Sequence, residues 1–259
     1  MGIFLFLGYI IGIGLLVNGF VLMRKKQVIL NTPTSKIRSM ALGLVELSGK
    51  AAPCRHALIS PLLKEECVYY SYTVQEKGKN TWVTILDGYS DLPFYLDDGT
   101  GMALVDPGRA ETDLKASLRG IGGRSKEFFP LLKQFYLERL IPDSVSRLKE
   151  SDPEKYEKRL EKDFKKATEY FYTEKLIVPG ESLYVVGTAA KTADAADPQS
   201  YEKNIIITKG ANDPAFIISD RREGSVVKRL SWQAPLNLLG GGVLLAACLA
   251  ISVVWLVAR

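Results

Sequence analysis

The sequence predicts an α+β membrane protein: a β-rich soluble domain with a helical-hairpin insertion, flanked by N- and C-terminal transmembrane helices. Three observations carry this expectation. Residues 3–23 and 235–258 hold no charged side chain, and an apolar run of about 20 residues at ~1.5 Å rise spans a ~30 Å hydrocarbon core. Between them, β-branched and aromatic runs alternate with turn residues, as strands do. Within that stretch, residues 125–172 change to an apolar period of three to four, as helices do. The expected divisions are an anchor over 1–26, a β-rich part over 27–124, a helical insertion over 125–173, a second β-rich part over 174–230 and an anchor over 231–259.

The first apolar run reads as a retained anchor. No basic residue precedes it, it exceeds a usual signal-peptide core, and no small-x-small cleavage site adjoins its end. Met1-Gly2 invites myristoylation, but Phe6 stands where that motif wants Ser or Thr. Arg24-Lys25-Lys26 closes the run. Val28–Leu30, Met40–Leu47 and Cys67–Gln75 then read as strands, and Thr81–Leu86 as the antiparallel partner of the last. Phe94–Leu96 and Met102–Val105 flank Asp97-Asp98-Gly99-Thr100-Gly101, a hairpin with a glycine-bearing turn. Phe128–Leu140 suggests one helix. Tyr156, Leu160, Phe164, Ala167 and Phe171 form the stripe of another, opened by Asp152 as N-cap and Pro153 at the first helical position. Strands resume at Lys175, with Leu183–Gly187, Asn204–Thr208 and Ala215–Ser219. Trp232 and Trp255 mark the two ends of the second span.

Charge sets the expected topology. Arg24–Lys26 and Lys228–Arg229 flank the spans on the domain side, so the positive-inside rule places residues 24–234 in a prokaryotic cytosol, with both termini opposite. The net charge of +5 gathers largely beside the spans. It suits a lipid bilayer with anionic headgroups and makes no case for nucleic acid.

Few residues offer chemistry. Three cysteines without paired spacing and a single histidine exclude a disulfide framework, a zinc site and any site needing two histidines. No G-x-S-x-G, H-E-x-x-H or P-loop occurs. Gly120–Gly123 reads as a hinge into the helical insertion. Asp97 and Asp98 could begin a divalent-cation site, yet the Asp-Gly chemistry of a tight turn accounts for them. No catalytic residue, metal ligand set or cofactor is expected. Gly8 with Gly12, and Gly242 with Ala246 and Ala250, are spaced for close helix approach. The anchors would pack on each other, or on copies of themselves in a homo-oligomer.

Three segments together resemble a known family. Ser60-Pro61-Leu62 followed by Cys67-Val68-Tyr69-Tyr70-Ser71-Tyr72 is similar to the first signature of the GIDE domain, also called the BAM (beside-a-membrane) domain. Phe94 through Gly101, including Asp97, Asp98 and Gly99, with Val105-Asp106-Pro107, resembles the second. Glu174 through Gly180, including Pro179, with Tyr184-Val185-Val186-Gly187, resembles the third. The likeness covers roughly residues 30–225, and the two-span layout agrees. It implies kinship with the membrane domain of MULAN-like RING-type E3 ubiquitin ligases of organelle outer membranes. There the domain between the spans takes part in substrate recognition, and a zinc RING follows the second span. A RING needs about eight Cys/His ligands, and this sequence ends at Arg259 with three Cys and one His. The expectation is therefore a member without the RING, like relatives in bacteria and archaea.

The expected function is a non-catalytic recognition or scaffold module at a membrane surface, its ligand another membrane or peripheral protein. The alternatives are a ligase component acting with a separate RING partner, or an unrecognised membrane-bound enzyme. A plasma membrane is expected in a prokaryote, and an organelle outer membrane in a eukaryote.

Overall fold

The apolar N-terminal run forms α1 (Gly2–Asn31) and the C-terminal run forms α2 (Glu223–Val257). Their apolar windows have mean hydropathy 2.2 and 2.3, and only 11% of each is buried inside the protein. A core helix would be covered by its own chain; these are long and apolar enough to cross a membrane. This computed structural model describes residues 2–122, 152–155, 170–192, 205–211, 213, 215–221 and 223–257. Val28–Leu30, expected as a strand, continues α1 instead. Extending an existing helix avoids the cost of nucleation, and Ile29, 1% exposed, gains a buried site at its end.

The two helices run antiparallel and touch through small residues. A Cβ on Gly8 would meet Cys248 Sγ at 2.5 Å, one on Gly12 would meet Leu245 at 2.7 Å, and one on Gly19 would meet Leu238 at 2.7 Å. Gly241 in turn faces the Gly12 carbonyl. Tyr9 Oη and Ser252 Oγ lie 3.3 Å apart near the far end. The glycines let the backbones approach closely, where dispersion contacts replace the absent hydrophobic effect.

Contacts divide the chain into two compact units. The first comprises Met1–Arg55, Leu92–Leu114 and Pro179–Arg259. Its strands are β1 (Gly43–Pro53), β6 (Phe94–Asp97), β7 (Met102–Val105), β8 (Glu111–Asp113), β11 (Ser182–Lys191), β12 (Ile205–Thr208) and β13 (Ile217–Ser219). The sheet order β1-β6-β7-β12-β11 closes on itself because β1 also pairs with β11. Only the β7–β12 contact in this ring is parallel. Numbered by appearance within the ring the order is 1-2-3-5-4-1, the Greek-key arrangement of an OB-fold barrel. Leu47, Phe94, Leu96, Val105, Val185, Ile207, Phe216 and Ile218, all fully buried, form its core. β1 exchanges partners near Gly49, pairing with β11 up to Lys50 and with β6 from Lys50 onward. Glycine is required there, because a Cβ would stand 2.6 Å from the Asp97 carbonyl oxygen. The membrane helices are joined to this barrel. Ile29 of α1 and Val226 and Leu230 of α2 pack with Tyr184, Val186, Ala215 and Ile217. Each such side chain, fully buried, contributes about 1.5–3 kcal/mol.

The second unit, His56–Asp91 and Lys115–Val178, is built from two insertions into the barrel sequence. A small hairpin, β2 (Leu58–Ile59) and β3 (Glu66–Cys67), precedes an antiparallel sheet of order β5-β4-β10-β9. Its strands are β4 (Tyr69–Lys77), β5 (Trp82–Tyr89), β9 (Leu118–Gly122) and β10 (Tyr170–Ile177). The expected strand Cys67–Gln75 is broken at Val68, whose N–H donates to the Ile177 carbonyl. β4 and β5 pair as expected. Gly120, expected in a hinge, lies in β9 opposite Tyr172. Gly88 lies opposite Tyr72 in the same way. A Cβ on either glycine would come within 2.7 Å of the facing tyrosine side chain, so each ring rests over its glycine. Phe171, expected in a helical stripe, belongs to β10. Alternating Tyr170 and Tyr172 give a core-facing side of period two, and cross-strand pairing outweighs the helical period there. The helix expected over Phe128–Leu140 lies outside the described residues. So does the stripe from Tyr156 to Ala167. Of that second helix the start is described: Lys155 N–H donates to Asp152 Oδ1 at 3.0 Å, the N-cap expected of Asp152.

Candidate functional site

The acidic turn between β6 and β7 is held almost entirely by its own carboxylates. Asp97 Oδ1 accepts from Gly99 N–H at 2.8 Å. Asp98 Oδ1 accepts from Thr100 N–H at 2.8 Å, Thr100 Oγ1 at 2.6 Å and Gly101 N–H at 3.2 Å. Its Oδ2 accepts from Ile37 N–H at 3.0 Å, tying the turn to a short 3-10 segment, Ile37–Ser39. Burial alone would raise the Asp98 carboxyl, but these hydrogen bonds from Thr100, Ile37 and Gly101 outweigh it and hold it below its ordinary value. Gly99 has φ +79°, a conformation L side chains rarely adopt. With its lone pairs so engaged, Asp98 is a structural clamp. Asp97 keeps an exposed carboxylate.

Beside this turn the first unit opens a cleft of about 710 Å³. It is lined by Ser48–Lys50 of β1, Ser182–Tyr184 of β11, Asp97–Gly99 of the turn and Asp220-Arg221. Tyr184 is buried, and its hydroxyl donates to Glu46 Oε2 at 2.9 Å, while Thr34 Oγ1 donates to Glu46 Oε1 at 2.6 Å. Burial, then the neighbouring Glu46 carboxylate, pushes the Tyr184 hydroxyl well above the ordinary tyrosine range. The rim is charged with both signs: Lys50 and Arg221 against Asp97, Asp98 and Asp220. Neither histidine nor cysteine lines it; its hydroxyls are those of Ser48, Ser182 and Tyr184, and Lys50 supplies an amine.

The first family-like segment lies in the other unit, where it builds a loop around a buried carboxylate. Glu174 of β10 is 0% exposed. It accepts from Leu62 N–H at 2.9 Å and Leu63 N–H at 2.7 Å. Ser60 also bonds to it, and accepts from Glu65 N–H at 3.2 Å. Pro61 follows Ser60 at the loop's corner, and Lys64 takes φ 60°. Burial raises the Glu174 carboxyl above its ordinary value, and the Leu62, Leu63 and Ser60 hydrogen bonds offset only part of this. Cys67, 0% exposed, has its thiol pushed up to about 11 by burial and then by the Glu174 charge. It is a core thiol at physiological pH. Tyr69 is buried and Tyr70 half-buried, on alternate faces of β4.

The structure thus distributes the sequence-derived positions. Asp97, Asp98 and Gly99 border the cleft, with Gly101 closing their turn. Pro179 and Gly180, the latter at φ +83°, lead into β11, and Gly180 N–H donates to the Ala51 carbonyl at 2.7 Å. Gly187 sits inside the barrel wall, where a Cβ would stand 2.7 Å from Ile207 and 2.8 Å from Phe216. Ser60, Pro61, Cys67, Tyr69 and Tyr70 belong to the Glu174 loop and sheet. Sequence reasoning missed Glu46, Glu174, Lys50 and Arg221. Glu46 and Glu174 each occupy a core-facing position of a strand, a legible signal of a buried carboxylate; Lys50 and Arg221 carry no local signal. Among the described residues, no three His, Cys, Asp or Glu side chains are grouped to hold a metal ion.

The family whose model matches is GIDE, described as E3 Ubiquitin ligase, over residues 66–254. No curated protein and no solved structure matches the chain.

Proposed function

The chain belongs to the GIDE family, and from this premise we propose that it is a recognition or scaffold module anchored in a membrane, binding a partner protein through the cleft beside the acidic turn. One observation carries the reading. The second and third signature segments, far apart in sequence, reach the cleft through Asp97–Gly99 and Tyr184, and the cleft carries Lys50 and Arg221 beside Asp97 and Asp220. The family description favours ubiquitin ligation as the surrounding process. These 259 residues contain three Cys and one His, fewer than two RING zinc ions require. Within this reading the ligand is a membrane or peripheral protein; the family description favours, as a second reading, a ligase component acting with a RING-bearing partner. Self-association through the outward Gly242/Ala246 face of α2 is compatible with it.

Photo-crosslinking from Ser182 in native membranes, with Lys50→Glu and Arg221→Glu as charge-reversing variants, tests the proposal. A defined partner band that both variants abolish, with unchanged thermal stability, is expected. Capture that is indifferent to both reversals would overturn the cleft as the recognition surface. Ubiquitin transfer by the purified chain with only activating and conjugating enzymes present would overturn the non-catalytic role.

A further inference from the structure

Contacts along α1 and α2 fix the register of the two helices against each other. Gly8 faces Cys248, Gly12 faces Leu245 and Gly19 faces Leu238. Continuing this antiparallel register sets Arg24 near the level of Trp232, which is 75% exposed. Residues 3–23 at ~1.5 Å each cover the ~30 Å hydrocarbon core, so this level is the lipid–water boundary, where tryptophan is favoured. Lys25, Lys26, Lys228 and Arg229 then stand within the next turn of helix, inside the headgroup layer. The barrel follows immediately, since Ile29 and Leu230 are already in its packing.

Two of these cations are occupied. Lys25 is paired with Glu111, and Arg229 Nη1 lies 2.7 Å from Asp113 Oδ1. Both acids belong to β8, so one short strand binds both helices. Arg24 and Lys228 are exposed and Lys26 half-buried, and among the described residues none of the three has an ion pair. Their charges point into a layer whose own groups are phosphates.

We propose that the juxtamembrane collar formed by Arg24, Lys26 and Lys228 is a binding site for anionic phospholipid headgroups, and that Glu111 and Asp113 set its strength by withholding Lys25 and Arg229. Complementary charge argues for this occupant. A zwitterionic headgroup offers the same phosphate with its charge cancelled, whereas a headgroup carrying net charge leaves about 1 kcal/mol per cation, roughly a fivefold preference each. The β8 pairs also keep two carboxylates neutralised where they would otherwise repel that lipid.

The test uses the full chain in nanodiscs containing phosphatidylglycerol and phosphatidylcholine, with retained lipid identified by native mass spectrometry. Phosphatidylglycerol should be enriched around the protein, and free glycerol phosphate should not displace it. The triple variant Arg24→Gln/Lys26→Gln/Lys228→Gln should lose at least fivefold of that enrichment while melting at the same temperature. Glu111→Gln/Asp113→Asn should raise it, because Lys25 and Arg229 are released. Enrichment unchanged in the folded triple variant would overturn the site. Displacement by free glycerol phosphate would reassign it to a soluble anion. Enrichment unaltered by the β8 variant would overturn the control by β8. None of these outcomes depends on the cleft or its partner.

Discussion

Two carboxylates, Asp98 and Glu174, behave oppositely because one is exposed to enough hydrogen-bond donors and the other is too deeply buried. Asp98 is held below its ordinary value, so its contribution is complete above the unfolded-state value near 3.8 and is lost as pH falls through its lower folded value. Replacing it by Asn removes the link to Ile37 and should cost about 1 kcal/mol, with a smaller further loss of stability on acidification than in the parent chain. Gly99→Val should cost more, because it forces a β-branched residue to φ +79°. Glu174 is held above its ordinary value. Its contribution is therefore complete below 4.5 and declines as pH rises through the folded value. Glu174→Gln should flatten this decline in a urea titration repeated across pH. Glu174→Ala, which strands the Leu62 and Leu63 N–H groups, should cost roughly 2–4 kcal/mol. If Glu174→Ala left the midpoint unchanged, the Ser60–Glu65 loop would owe nothing to this carboxylate.

Elements are assembled through glycines used for proximity. On α1, Gly8 and Gly12 point at α2; on α2, Gly241 faces α1, whereas Gly242 has nothing within 4 Å of its would-be Cβ. The GxxxG-like spacing alone could not distinguish these two faces. Gly8→Cys should form an intrachain disulfide with native Cys248 on mild oxidation, because its Cβ would already lie 2.5 Å from Cys248 Sγ. Mass spectrometry of the digested protein would read the bond directly. Its absence, with both thiols still titratable, would contradict the helix pairing. Gly12→Leu should separate the helices and lower the melting temperature in detergent, while Gly242→Leu should leave it unchanged. A change of oligomeric state in Gly242→Leu would identify the outward face as an interface between copies. In the β-sheet of the second unit, Gly88→Val should expel the Tyr72 ring and destabilise in the manner of an overpacked core, by about 1–3 kcal/mol.

At the scale of the molecule, both helices enter the same barrel, so the antiparallel pair and the β ring form one covalent and packed body. That arrangement places the barrel of the first unit on one side of any bilayer the helices span. We propose that in a prokaryotic plasma membrane this side is the cytosolic one, because the basic residues flanking the spans lie on it. A reporter cysteine at Lys79, in a chain lacking the native cysteines, should resist an impermeant maleimide in intact cells and react after lysis. Rapid labelling of intact cells would reverse the orientation.

The sequence by itself determined the two spans, their basic flanks, most strands and the three signature segments. These are written in local composition, and local composition decides whether a segment is helix, strand or turn. It misplaced Val28–Leu30 and Phe171, where a short apolar run satisfies either period and only the surrounding contacts choose. The tertiary structure alone decided the closure of β1 onto β11. It also brought Asp97–Gly99 to Ser182–Tyr184, buried Glu46 and Glu174, and paired Lys25 and Arg229 with β8. Each of these joins residues far apart in the chain, and such contacts follow from how strands order themselves around a shared core, which no window of neighbouring residues encodes.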